Sequence, residues 1–304
     1  MKIAIIGIGD IAKKAYLPVL STREDVELVL CTRNEETLKE VSKKYKIEKT
    51  YTNIDEMIEK EKDLDGALVS THTIAHYETA KKLIENKINV YIDKPLSYYY
   101  EEAEEIVKLA KENKVIAMVG FNRRFAPRVK ELKEKGQADI IVIQKNRGNE
   151  AGDIRSFVVE DYVHVIDTLR FLAGEEVIDM DVNFKGTLES LENVVVTLKT
   201  KNTTAIGIMN RVSGITEENI DYMVKGKKYI VEELVDLLEL TTESKNKITF
   251  GPWETTLAKR GFNNILEEFI SSIKEGRQPN PSLEDSQITH EICEKVVNYI
   301  QKNQ

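Results

Sequence analysis

Cysteine is nearly absent from this 304-residue chain, which holds only Cys31 and Cys293. Two cysteines build no disulfide framework, and neither has the partner spacing of a metal site, so a reducing cytoplasm is the expected compartment. Uninterrupted apolar sequence is equally scarce. No run approaches the roughly 18 residues a membrane span needs, and with 41% hydrophobic and 32% charged residues the expectation is a soluble folded protein. The first nine residues do not extend to a secretory signal: after Lys2 only a short apolar stretch precedes Gly7, Gly9 and Asp10, so a buried strand is expected there. Basic excess is missing too. With 44 basic against 52 acidic residues the net charge is -8, which argues against nucleic acid or an anionic membrane as partner. A small-molecule ligand remains, because one pocket can be basic on an acidic protein. No repeat, low-complexity tract, flexible linker or serine or cysteine nucleophile motif is visible, and no metal is expected. Trp253 and the Tyr98-Tyr99-Tyr100 run read as packing, and His290 as a surface residue.

The length suggests about two domains. Up to residue 120, short β-rich runs at 2–6, 26–31, 49–51, 66–70, 88–92 and 115–119 alternate with helical-period stretches at 35–44, 75–85 and 98–113. Such alternation yields a doubly wound parallel sheet, because crossovers between parallel strands are right-handed. After Gly120 the pattern changes. A helix at 126–135, a strand at 139–144 and a helix at 158–172 that stops at Gly174 lead into strands at 177–184, 193–198, 203–210, 221–224 and 229–231. Short polar turns such as Lys201-Asn202 and Lys225-Gly226 make that sheet mostly antiparallel. Helices at 256–274 and 284–301 close the chain. The fold class expected is therefore α/β, with a dinucleotide-binding domain at 1–120 and an α+β domain for substrate and oligomerisation at 121–304, packed with a cleft between them. Apolar residues on both faces of 193–198 and 203–209 suggest a sheet that also covers a second copy, giving a homodimer or higher assembly.

Gly7-Ile8-Gly9-Asp10-Ile11-Ala12 follows the first strand and opens a helix, the G-x-G-x-x-G/A arrangement of a dinucleotide site. The first glycine allows the tight turn, the second lets a pyrophosphate approach bare backbone, and Ala12 lets helix and strand pack closely. The anion then lies on the helix N-terminus, where unpaired amides favour negative charge. At the end of the second strand an NAD enzyme usually places an acid for the ribose 2'-OH. Here Thr32 and Arg33 stand instead, with no acid between Leu28 and Asn34. They suit the 2'-phosphate of NADP, unless Arg33 is a solvated loop residue.

Lys94 sits at the carboxyl end of the fifth strand, where open parallel sheets bind ligands. Pro95 biases it toward an extended backbone that aims the ammonium along the strand, although a salt bridge to Asp93 is an equal alternative. On the helix at 158–172, a step of about 100° per residue brings Glu160, His164 and Asp167 within roughly 60° of one another. Val159, Tyr162, Val165, Ile166 and Leu169 take the other side. A histidine between carboxylates suits a general acid or base, and a solvated polar face is the plainer alternative. His72 and His76, after the fourth strand, could line a ligand mouth or simply meet solvent. Arg123, Arg124 and Arg128 could bind an anionic substrate group or pair with acids.

Taken together, the glycine turn, Ser70-Thr71 with His76, Asp93-Lys94-Pro95 and Gly120-Phe121-Asn122-Arg123-Arg124-Phe125 resemble the Gfo/Idh/MocA oxidoreductases, the glucose-fructose oxidoreductase and inositol dehydrogenase family. The likeness spans nearly the whole chain. Asp93 departs from the glutamate usual in that triplet. The resemblance implies that Lys94 lies near a nicotinamide and hydrogen-bonds the reacting oxygen of the substrate. It further implies that His164 and Asp167 match a catalytic His with an Asp three residues on, and that Ser70, Thr71, His76 and Asp93 belong to the cofactor site. By the same likeness Asn122, Arg123 and Asp161 fall to the substrate. Glu160 stands where members often have an aspartate, with Asp161 beside it, and the upstream Gly-Gly pair is missing; this form is similar to the MviM-like branch. The function implied is an NADP-preferring oxidoreductase, NAD also being possible, that moves hydride between the nicotinamide and a sugar, polyol or related hydroxy or keto compound. The alternatives are a non-catalytic NADPH sensor, and a lyase, glycosidase or imine reductase that uses the nicotinamide on the same fold.

Overall fold

The computed structural model describes residues 1–304. It resolves into two compact units, one formed by Met1–Gly120 with Phe262–Ile288 and the other by Phe121–Gly261 with Thr289–Gln304. Phe262–Ile288, expected with the second domain, therefore belongs with the first.

The first unit alternates strands and helices: β1 (Lys2–Ile6), a π-helical turn (Ala12–Tyr16) running into α1 (Leu17–Leu20), β2 (Glu27–Cys31), α2 (Glu35–Tyr45), β3 (Thr50–Tyr51), α3 (Ile54–Lys60), β4 (Gly66–Val69), α4 (His76–Glu85), β5 (Asn89–Ile92), α5 (Tyr100–Asn113) and β6 (Ala117–Val119). The six strands form one parallel sheet in the order β3-β2-β1-β4-β5-β6. Ile3, Ala4 and Ile5 of β1 are wholly buried, as a central strand covered on both faces must be. The chain order reverses on either side of β1, so the carboxyl ends of β1 and β4 flank the crevice where doubly wound sheets take ligands. α3 was not anticipated from the pattern. It is only seven residues long, and Asn53 caps it by accepting from the amides of Asp55 and Glu56.

The second unit holds α6 (Pro127–Lys133), β7 (Ile140–Asn146), a π-helical segment (Ser156–Tyr162) that continues as α7 (Val163–Ala173), β8 (Asp179–Gly186), β9 (Leu191–Lys199), β10 (Thr204–Asn210), β11 (Glu217–Val224), β12 (Lys227–Glu232), β13 (Asp236–Leu240), β14 (Lys245–Ile248) and α8 (Thr256–Lys259). Its eight strands run β14-β13-β12-β11-β7-β10-β9-β8, antiparallel throughout except for the β7-β10 pair. α7 is fixed to the sheet by Tyr162, whose hydroxyl donates to the Gly207 carbonyl at 2.7 Å and accepts from the Val196 amide at 3.1 Å. Gly174 ends α7 in the left-handed conformation at φ 68°, the usual helix stop. β13 and β14 escaped the sequence pattern because β14 buries none of its four residues, leaving no alternation to see. The single helix expected at 256–274 is two, α8 and then α9 (Phe262–Glu275), separated at Gly261, and α10 (Leu283–Lys302) ends the chain. No helix is long and apolar enough to cross a membrane.

Candidate functional site

The turn after β1 has the geometry a pyrophosphate cradle needs. Gly7 has φ 85°, and a Cβ there would lie 2.6 Å from the Thr71 amide nitrogen, so only glycine fits. A Cβ on Gly9 would meet nothing nearer than the Ser70 carbonyl at 4.0 Å. The space beside Gly9 is thus clear of protein, and the backbone is bare where a diphosphate would approach. Ala12 is fully buried, and Ile11 is half-buried at the head of the helix. Asp10 is exposed and pairs with Lys14 at 2.7 Å. The residues present therefore fit a dinucleotide.

Around this turn several expected ligand residues act as struts. The Ser70 hydroxyl donates to the Gly7 carbonyl at 2.7 Å, bracing the glycine turn from β4. His76 is buried, with Nδ1 2.7 Å from the Pro95 carbonyl and Nε2 3.0 Å from the Thr71 carbonyl, so it ties the turn after β4 to the turn after β5. Thr71 is half-buried. Past β2, the Thr32 amide donates to the Tyr51 carbonyl at 3.1 Å, leaving its hydroxyl clear of that bond, and Arg33 is exposed. Asn34 then caps α2 by accepting from the Thr37 amide. Asp93 and Lys94 stand half-buried at the end of β5, and the Asp93 carboxylate accepts from the Tyr16 hydroxyl at 2.6 Å.

In the second unit, His164 is buried on α7. The Arg123 guanidinium approaches its ring, with Nη1 2.9 Å from Nε2 and 3.1 Å from Nδ1, while Nε and Nη2 grip Glu218 at 2.9 and 3.0 Å. A guanidinium only donates, so the ring nitrogen it meets accepts from it and carries no proton. Asn122 also donates to the Arg260 carbonyl and accepts from Arg123, so its amide is used within the unit. Asp167, wholly buried, is gripped by Arg124 at 2.6 and 2.8 Å and accepts from the Thr289 hydroxyl at 3.0 Å. Glu160 is half-buried in the π-helical segment. There the wider turn departs from the 100° step that aligned it with His164. The plainer alternative of a solvated polar face does not hold around His164: Val163 through Leu169 are all buried.

One buried cluster was not visible as a motif. Lys145 and Arg147, at the end of β7, converge on Asp161, Arg147 at 2.9 and 3.0 Å. Burial pushes the Asp161 carboxyl up, but the Arg147 hydrogen bonds and the Lys145 charge more than reverse this and hold it well below the carboxylate range. Burial likewise raises Glu218 and the Arg123 charge overcomes it, while burial pushes the Lys145 ammonium down to about 8. A signal existed. Lys145 is in phase with the inward Ile141 and Ile143, and Glu218 with Ile220 and Tyr222, so strand alternation alone turns these charges toward the interior.

Comparison with known proteins agrees with this geometry. Residues 1–121 match the model of an oxidoreductase family with an NAD-binding Rossmann fold, and residues 127–243 match a YceM-like C-terminal domain. The chain is 30% identical to the YceM protein of Salmonella typhimurium over 97% of this chain and 96% of that one. It is 25% identical to the myo-inositol 2-dehydrogenase of Thermotoga maritima, over 95% and 92% of the two chains. A crystal structure of the dehydrogenase MviM from Clostridium difficile superposes with a TM-score of 0.92 at 32% identity, covering 98% of this chain and 99% of that one. With both halves matched and the glycine cradle intact, the chain belongs to the Gfo/Idh/MocA family of NAD-binding oxidoreductases.

Proposed function

We propose that this oxidoreductase prefers NADP and moves a hydride between C4 of the nicotinamide and the carbinol carbon of a sugar, polyol or related hydroxy compound, as a cytoplasmic homodimer or higher assembly. The observation that carries the reading is the glycine turn, bare at Gly9, in the same sheet as a lysine at the end of β5. The bound cofactor supplies the hydride chemistry. Gly7, Gly9, Asp10, Ile11 and Ala12 form the turn that receives the pyrophosphate through its backbone, and Thr32 and Arg33 take the 2'-phosphate. Lys94 hydrogen-bonds the reacting oxygen and stabilises the alkoxide by its positive charge. His164 takes the hydroxyl proton in oxidation and returns it in reduction, the Arg123 contact giving way as the substrate hydroxyl meets the ring. Arg124 holds Asp167, and Lys145 with Arg147 holds Asp161, so these carboxylates shape the surroundings of His164. The polyol named for the Thermotoga maritima relative supports the substrate class.

Lys94→Ala and His164→Ala test the reading. Each is expected to lower turnover about 10²- to 10⁴-fold while leaving the cofactor Kd, from fluorescence titration, nearly unchanged. Wild-type turnover in either variant would remove that residue's chemical role.

A further inference from the structure

The hydroxyl of Tyr16 meets the carboxylate that precedes Lys94, and nothing in the dinucleotide motif requires this. Tyr16 ends the π-helical turn Ala12–Tyr16, directly after the glycine cradle, and is wholly buried. Its hydroxyl donates to Asp93 Oδ1 at 2.6 Å and lies 3.5 Å from the hydroxyl of Tyr91, itself wholly buried on β5. The two rings pack edge to face at 5.5 Å, with Phe262 against Tyr16 at 6.2 Å and Phe269 against Tyr91 at 5.7 Å. Both phenols are enclosed by these rings. Burial, then the Asp93 charge, raises the Tyr16 phenol well above its ordinary range, so it stays a donor. Gly120, just after β6, leaves no slack: a Cβ there would lie 2.7 Å from the Tyr91 hydroxyl and 3.3 Å from Asp93 Oδ1. A π turn, which costs regular helix bonding and recurs at functional sites, here delivers one hydroxyl to one carboxylate.

We propose that Tyr16 is a positioning residue that holds the Asp93 carboxylate in place through its hydroxyl and so fixes the alignment of the adjacent Lys94 at the reacting oxygen. This rests on the reading that Lys94 acts there. Released from Tyr16, the carboxylate turns to another donor, and a shift toward Lys94 makes its ammonium harder to deprotonate and draws it from its aim.

Tyr16→Phe keeps the ring and removes the donor. The first readout needs neither cofactor nor substrate: acetic anhydride labelling of Lys94 against pH, followed by peptide mass spectrometry. Tyr16→Phe should raise the labelling midpoint by about one unit, and adding Asp93→Asn should abolish that rise. The second readout is turnover with NADP and the polyol that the wild type oxidises. Tyr16→Phe should lower kcat about 10- to 100-fold with the NADP Kd within about twofold, and its effect should be non-additive with that of Asp93→Asn. An unchanged labelling midpoint, an unchanged kcat or simple additivity overturns the proposal. Full turnover in Lys94→Ala, with Tyr16 intact, would instead bring down the reading of Lys94 and the proposal with it. Should Tyr16→Phe fail to fold, Gly120→Ala crowds Tyr91 and Asp93 from the residue after β6. It is expected to lower kcat by a similar factor, and less so in a Tyr91→Phe background; wild-type kcat in Gly120→Ala overturns the proposal.

Discussion

Single side chains set both the selectivity and the acid stability expected of this protein. Thr32 and Arg33 can donate to or attract a 2'-phosphate, whereas an acid there would repel it. A charge-assisted hydrogen bond contributes about 1.5–3 kcal/mol, so NADPH should bind roughly 10- to 100-fold tighter than NADH. Titration of both reduced cofactors checks this, and the preference should shrink in Arg33→Ala and Thr32→Asp; tighter NADH binding by the unaltered chain contradicts it. Deeper in the fold, Arg124 neutralises the wholly buried Asp167. Arg124→Ala leaves that carboxylate uncompensated and should cost about 3–5 kcal/mol in urea unfolding. The buried carboxyls of Asp161 and Glu218 titrate below their ordinary values. The unfolded chain therefore binds protons first on acidification, and the stability they contribute is full above the ordinary carboxylate range, begins to fall there and is lost as pH falls through their depressed native values. Unfolding at pH 7, 4 and 2.5 should show a loss that is small by pH 4 and larger below it, with a shallower pH dependence in Asp161→Asn.

Among the elements, the glycine turn separates folding from binding. Gly9→Ala adds a methyl to space that no protein atom fills, at an ordinary φ, so the thermal midpoint should hold while NADPH affinity falls at least about tenfold. Gly7→Ala, at φ 85° and against the Thr71 backbone, should lower the midpoint as well. Equal effects of the two on stability would show that Gly9 is a structural glycine. The turn and its sheet were legible because each buried parallel strand reads as a short apolar run and each glycine has a steric reason. The six strands of the first unit lie where those runs place them, within about two residues at each end. The helix carrying His164 was legible as an element but not as a face. Its π-helical start changes the angular step at Glu160, and burial on every side hides the partners that decide its chemistry: Arg123 for His164, Arg124 for Asp167. Those arginines come from the Gly120-to-Phe125 segment, and a single helix's periodicity carries no information about them.

At the scale of the whole molecule, the sheet of the second unit carries an apolar patch on its outer face, set among polar neighbours such as Gln144, Thr197 and Asp221. Val142, Ile206, Ile208 and Val195 lie side by side on β7, β10 and β9 and are half-buried. Covering them is the physical reason to expect a second copy. Sedimentation equilibrium at micromolar concentration should give at least twice the 34.7 kDa of one chain, and Ile206→Lys should shift it toward that value. A wild-type monomer under those conditions would contradict the assembly. The central claim, net hydride transfer on a hydroxyl or keto carbon, is read from absorbance at the nicotinamide band. The purified protein is mixed with NADPH or NADP and a panel of sugars, polyols and keto-sugars. The account predicts a net change in nicotinamide absorbance, equal in moles to the carbinol oxidised or the keto group reduced. Cofactor binding without turnover across the panel, or product formed with no net absorbance change, would contradict it.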